Sequence, residues 1–159
     1  MVQTKRILCP IDFSATSDQA FAHCEALARD LEAELVLLHV VGVPDFWGSG
    51  GMEHALEADQ ELVAQLTAIR PSSADVKVDH ILHAGPAGEV IAWTAQEKQC
   101  DLIVMGTHGR TGLSHLVLGS VAEHVVRHAR CPVLTVRHIP PGEPPLREPE
   151  VHVPVPPMI

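Results

Sequence analysis

Glu34-Leu-Val-Leu-Leu-His-Val-Val41 is almost unbrokenly apolar and rich in β-branched residues. A continuous run of this kind, in place of an apolar/polar alternation, suits a strand covered on both faces, as in a parallel sheet. Reading outward from it, Thr16-Ser-Asp-Gln19 has the capping-box pattern and predicts a helix start. Ala20, Phe21, Cys24, Leu27, Ala28 and Leu31 follow at helical spacing and give that helix one apolar face. Before it, Arg6 to Ile11 (RILCPI) reads as another short buried strand. The first third of the chain is therefore a strand–helix–strand unit.

The same alternation continues downstream. Pro44 to Gly51 (PDFWGSGG) reads as a loop. Met52 to Ile69 reads as a helix with Leu56, Leu62, Val63, Leu66 and Ile69 on one side, ended by Pro71. Val76 to His83 begins with alternation, so it is a strand nearer an edge. A turn at Gly85 to Gly88 leads to a helix from Glu89 to Gln99, with Val90, Ile91 and Ala95 inward. Cys100 to Met105 is a fourth strand; a Gly-rich loop, a helix from Ser120 to Ala129 and a strand from Cys131 to Arg137 complete the pattern. The order βαβαβαβαβ implies right-handed crossovers and one doubly wound, Rossmann-like α/β domain, with helices on both faces of a mostly parallel sheet. We place that domain at residues 1–138. The tail, residues 139–159, holds 8 of the 13 prolines and is expected to be extended or polyproline-like.

Composition narrows the function. The chain has 159 residues, enough to bury about 69% of its unfolded surface in a real core. Hydrophobic residues make up 46% and charged residues 19%, which excludes wholesale disorder. The net charge of -9 opposes nucleic acid and anionic membranes as partners. Aromatics at 3%, with no Tyr, leave little for base-stacking platforms. Pro10 and Asp12 interrupt any signal-peptide core, and no apolar stretch approaches the ~20 residues that span a bilayer, so a cytoplasmic protein is expected. Cys9, Cys24, Cys100 and Cys131 form no C-x-x-C pair and read as small buried hydrophobes in a reducing compartment.

The chemistry concentrates in Met105-Gly-Thr-His-Gly-Arg-Thr-Gly-Leu-Ser-His-Leu-Val-Leu-Gly-Ser-Val121. This segment leaves a buried strand and feeds a helix, the place where open α/β sheets bind ligands. A phosphate there meets free backbone N–H groups and the positive end of a helix dipole. Gly106 and Gly109 are expected to take φ > 0 and approach an anion closely. Gly119 is expected to leave open the space a phosphate fills, Ser120 offers a hydroxyl, and Arg110 is the nearest fixed positive charge. A purely structural reading stands beside this one. Ser120-Val-Ala-Glu123 is itself a capping box, and the lesser reading of Asp12 is a loop-start residue that caps or bonds local backbone.

The spacing Gly106-x2-Gly109-x9-Gly119-Ser120 resembles the nucleotide-binding signature of the universal stress protein family. Ile7-Leu-Cys-Pro-Ile-Asp-Phe-Ser14, Leu35 to Val41, Gly119 to Glu123 and Cys131 to Val136 resemble its other motifs, so the likeness runs over about residues 4 to 138. The resemblance implies a five-stranded parallel sheet in the order 3-2-1-4-5, with ATP, ADP or AMP lying across strands one and four. It places Asp12 on the ribose and adenine side, Pro10 in the wall of that pocket and the Val40 backbone at the adenine edge. It surrounds the phosphates with Gly106, His108, Gly109, Gly119, Ser120 and Val121, and adds Mg²⁺ to neutralise them. It further implies a homodimer through the last strand, Cys131 to Arg137, an apolar edge that needs cover. His115 departs from the basic residue the family often carries there.

Other features point to less. Gly48 to Gly51 resembles a pyrophosphatase-type loop but follows the second strand instead of the first. His124 and His128 have i,i+4 spacing without the H-E-x-x-H pattern, and His80 and His83 fall on opposite faces of a strand. The function expected is an ATP-binding, nucleotide-responsive switch or interaction module in the stress response. A slow ATPase or phosphate-transfer enzyme, with Asp12 and His108 as its candidate groups, and a nucleotide-free dimeric scaffold are the alternatives.

Overall fold

The computed structural model describes residues 4–42, 51–108, 118–139 and 141–147, with 51–59 as helical backbone only. Its elements run β1 (Arg6–Pro10), α1 (Ala15–Leu31), β2 (Glu34–Val41), α2 (Gly51–Ala68), β3 (Val78–Ala84), α3 (Ala87–Glu97), β4 (Leu102–Gly106), α4 (Ser120–His128) and β5 (Val133–Val136). All four strand pairs are parallel, and the sheet order is β3-β2-β1-β4-β5. This is the doubly wound α/β fold expected, and the strand read as lying near an edge, β3, is an edge strand.

The pleat divides the core in two. Ile7, Cys9, Leu35 and Leu37 face α1 and α2, whereas Leu8, Val36 and Leu38 face α3 and α4. These side chains are at most 2% exposed, each worth about 1.5–3 kcal/mol of burial for its larger members. That two-sided burial is why the run from Glu34 shows no polar alternation. His80 and His83 obey the same pleat. His80 Nε2 donates to the Ile69 carbonyl at 2.8 Å, beside α2, while the His83 ring meets Trp93 of α3 edge-on at 5.4 Å.

Several boundaries shift for identifiable reasons. The cap of α1 is Ser14, whose hydroxyl accepts from the Ser17 N–H at 3.2 Å, so Thr16 lies inside the first turn. The helix starts early because Phe13 takes a left-handed conformation, φ 62°, and turns the chain sharply after β1. β3 begins at Val78, since Val76 still closes a turn onto the Ser73 carbonyl. The Gly85–Gly88 turn is half helix, because α3 starts at Ala87 behind Pro86. β4 begins at Leu102, since the Cys100 N–H is still bonded to Ala95 at the end of α3. Beyond His138 the described residues form no helix or strand; a turn at 141–142, with Gly142 at φ 87°, brings Glu143 onto Arg137 at 2.7 Å.

Cys9, Cys24 and Cys100 are buried and Cys131 is half-buried, all as free thiols. Burial raises the Cys24 thiol well above its ordinary value and pushes Cys100 up to about 12, as suits packing groups. No described helix is long and apolar enough to cross a membrane.

Candidate functional site

A cavity of about 300 Å³ opens at the carboxyl ends of β1, β2 and β4, where connections leave toward opposite faces of the sheet. β1 and the turn after it contribute Pro10 and Asp12, and β2 contributes Val40. β4 and its extension supply Gly106 and His108, and the start of α4 supplies Gly119, Ser120 and Val121. Eight of the ten candidate residues thus line one cavity. Gly109 and Arg110 lie outside the described residues, as do His115, the Gly48–Gly50 part of the pyrophosphatase-like loop and the Val151–Val155 segment of the tail.

The turn after β1 is tightly specified. The Ile11 N–H donates to the Leu38 carbonyl at 2.8 Å, and the Ser14 N–H donates to Asp12 Oδ1 at 3.0 Å. Asp12 therefore holds local backbone, as its structural reading anticipated, and also faces the cavity. Below it, Thr107 anchors the loop that leaves β4. Its N–H donates to Val136 at 3.0 Å, its carbonyl accepts the Gly119 N–H at 2.6 Å, and its hydroxyl bonds His108 Nδ1 at 2.9 Å. The base of the segment 108–118 is pinned at both ends by a single residue.

Two sequence expectations are corrected by the structure. Gly106 does not have positive φ: among the described glycines only Gly85 and Gly142 do. Its reason is close packing, since a Cβ on Gly106 would lie 2.6 Å from Thr16 Cγ2. Gly119 is also closely packed, since a Cβ there would lie 2.7 Å from the Thr107 carbonyl oxygen. Ser120 is not the cap of α4. The cap is Gly119, which has no side chain to bond the first-turn N–H groups of that helix. The Ser120 side chain is thus released toward solvent and the cavity.

The electrostatics follow from backbone more than from side chains. Among the described lining residues there is no Lys or Arg, and Asp12 is the one carboxylate. Positive potential comes from α4, whose uncapped N-terminus opens onto the cavity, and from α3, whose N-cap Pro86 also supplies no side-chain bond. The remaining wall is apolar, formed by Leu38, Ile91 and Met105. Sequence reasoning missed Ser17, Ala87 and Ile91 as lining groups. All three are helix positions turned toward the sheet, and only the sheet order could have aimed them at the cavity.

The universal stress protein family model matches residues 3–137. The chain belongs to the universal stress protein family. Within it, the chain is 37% identical over 145 residues to universal stress protein MJ0531 of Methanocaldococcus jannaschii, covering 84% of this chain and 82% of that one. It is 33% identical over 156 residues to universal stress protein MJ0577 of the same organism, covering 86% and 96%. The solved structure of MJ0577 superposes with a TM-score of 0.67 over 87% of this chain and 99% of its own. Universal stress protein UspA from Lactobacillus plantarum, 23% identical, shares the fold with a TM-score of 0.72, covering 86% and 100%. This is therefore a stress-response protein of the universal stress protein family.

Proposed function

We propose that the cavity binds an adenine nucleotide, ATP or its di- or monophosphate, and that the protein is a nucleotide-responsive switch or interaction module. The observation that carries this reading is the pairing of two surfaces in one cavity. An apolar wall at Val40, Leu38 and Pro10 suits a planar base, and the uncapped N-terminus of α4 beside Gly119 and Ser120 suits phosphates. Membership in the universal stress protein family supports the same assignment. Asp12 then faces the ribose, the Val40 backbone meets the base edge, and His108 and Val121 join the phosphate-binding set together with Gly106, Gly109 and Arg110.

Mg²⁺ fits as a companion of the phosphates. With one carboxylate in the described lining, and no cluster of three or more ligating side chains among the described residues, phosphate oxygens and water would hold the ion more than protein does. The domain is residues 1–138, with 139–159 as an appended tail. Two copies pair along β5, an edge strand with Leu134 42% exposed.

The test is thermal stability with ATP, ADP, AMP and GTP, each with Mg²⁺. A ligand at 100 times its Kd adds about 2.7 kcal/mol, which is about 5–11 °C for a chain of this size. Adenine nucleotides should shift the midpoint more than GTP. No shift with any adenine nucleotide at millimolar concentration defeats the reading. Phosphate release from saturated protein separates a binder, which releases none, from a slow ATPase.

A further inference from the structure

His39 is a buried polar side chain, 8% exposed, at the carboxyl end of β2. Its neighbours in the same run are apolar. Its ring instead makes two contacts with a different element. Nδ1 donates to the Ile11 carbonyl at 2.7 Å, and the ring face packs on Phe13 with centroids 4.7 Å apart. Both partners flank Asp12. Phe13 is held at φ 62°, a conformation that costs energy for a bulky residue and persists only where surroundings enforce it. We infer that His39 is a positioning residue for the nucleotide site, holding the Ile11–Phe13 turn so that the Asp12 carboxylate faces the cavity. The inference rests on the nucleotide reading above.

The physical logic is pre-organisation. The peptide units around Asp12 are held by the Ile11 N–H on the Leu38 carbonyl and by the Ser14 N–H on the Asp12 carboxylate itself. His39 supplies the bond to the Ile11 carbonyl, and with it a side-chain wall for the strained Phe13. Without that bond the turn samples other arrangements, and apparent affinity falls in proportion to the competent fraction. A carbonyl can only accept, so the neutral ring must carry its proton on Nδ1.

Three measurements on the full chain test this. His39→Leu keeps apolar bulk and removes the donor. It should weaken ATP binding about tenfold, the scale of one net hydrogen bond. His39→Asn places an amide N–H near the position of Nδ1 and should recover most of the affinity. A two-bond proton–nitrogen spectrum of the wild-type imidazoles should show His39 as the Nδ1–H tautomer. Leu binding as tightly as wild type, Asn no better than Leu, or an Nε2–H tautomer each overturns the positioning role. The spectrum does so even where a variant fails to fold. Wild-type protein that does not bind ATP overturns the nucleotide reading itself, an outcome distinct from wild type and Leu variant binding alike.

Discussion

The two ends of the sheet each carry a hollow of similar size, about 300 Å³ at the carboxyl end and about 280 Å³ at the amino end. Their chemistry is opposite. At the amino end three lining cations, Arg6, Lys77 and Lys98, share two lining carboxylates, Glu34 and Asp79. Arg6 meets Glu34 at 3.0 Å, Lys77 meets the same carboxylate at 3.8 Å, and Lys98 meets Asp79 at 3.5 Å. Arg6 also donates to the Lys98 carbonyl at 2.6 Å, and Asp101 accepts the backbone N–H groups of Lys5 and Arg6 at 2.7 and 3.0 Å. These bonds stitch β1 to β2 and to the α3–β4 connection. At the carboxyl end the described lining has no basic side chain, and helix N-termini are left without side-chain caps. Volume alone does not make a site. In one hollow the cations are paired with carboxylates of the protein, and the other is lined by helix N-termini whose caps supply no side-chain bond.

If the two ends divide their work in this way, variants at the carboxyl end should alter nucleotide response, and variants at the amino end should alter stability alone. The largest effect is expected for Gly119→Val. Its Cβ would press on the Thr107 carbonyl oxygen and displace the start of α4. The ~2.7 kcal/mol of stabilisation by excess ATP should vanish, and the unliganded protein should lose about 1–3 kcal/mol from overpacking. Differential scanning calorimetry with and without ATP reads both. Retention of the full ATP shift would show that the loop base does not shape the site.

Gly106→Ala comes next, at about 1–3 kcal/mol, because its Cβ would meet Thr16 Cγ2 at 2.6 Å. Adding Thr16→Ser removes that methyl and should recover most of the loss in a double-mutant cycle. Additive losses in urea unfolding would show that the contact is not the cause. At the other end, Asp101→Ala strips two backbone donors of their acceptor and should cost about 1–2 kcal/mol. Its ATP affinity by titration calorimetry should stay within about twofold of wild type, given its separation from the cavity. A tenfold loss of affinity there would end the division between the two ends.

The smallest effect is electrostatic. Hydrogen bonds from Arg6 lower the pKa of Glu34, and hydrogen bonds from Ser72 lower that of Glu25. A carboxyl whose folded pKa lies below its unfolded value contributes fully above the unfolded value, about 4.3. That contribution is lost as pH falls through the folded value. Both groups are solvent-exposed, so each loss should stay below about 1 kcal/mol. The urea midpoint should be flat above pH 5 in this respect and decline below pH 4.3, with Glu34→Gln removing part of the decline.

The architecture was legible because its signals are periodic. Continuous apolar strands read correctly, but the helix faces did so only in part, since Leu31 and Val63 were placed on apolar faces and are 43% and 44% exposed; the sheet order came through the family resemblance instead of the pattern. Boundaries failed where tertiary contact overrides local chemistry. Thr16-Ser-Asp-Gln19 is a good capping box, yet the left-handed Phe13 lets Ser14 cap the helix first. Gly106 was expected to need positive φ and does not. Gly106 and Gly119 answer to Thr16 and to the Thr107 carbonyl, partners distant in sequence that no local spacing reveals. His39 was hidden for the same reason: within its run it is one polar residue among apolar ones, and its hydrogen-bond partner Ile11 lies 28 residues upstream.

The most direct test of a divided sheet is a backbone amide spectrum of the full chain titrated with ATP and Mg²⁺. Saturable shifts are expected at Asp12, Val40, Gly106, His108, Ser120 and Val121, with Arg6, Glu34, Lys77 and Lys98 unmoved. Shifts centred on Arg6, Lys77 and Lys98, or no shifts at millimolar ATP, would contradict it.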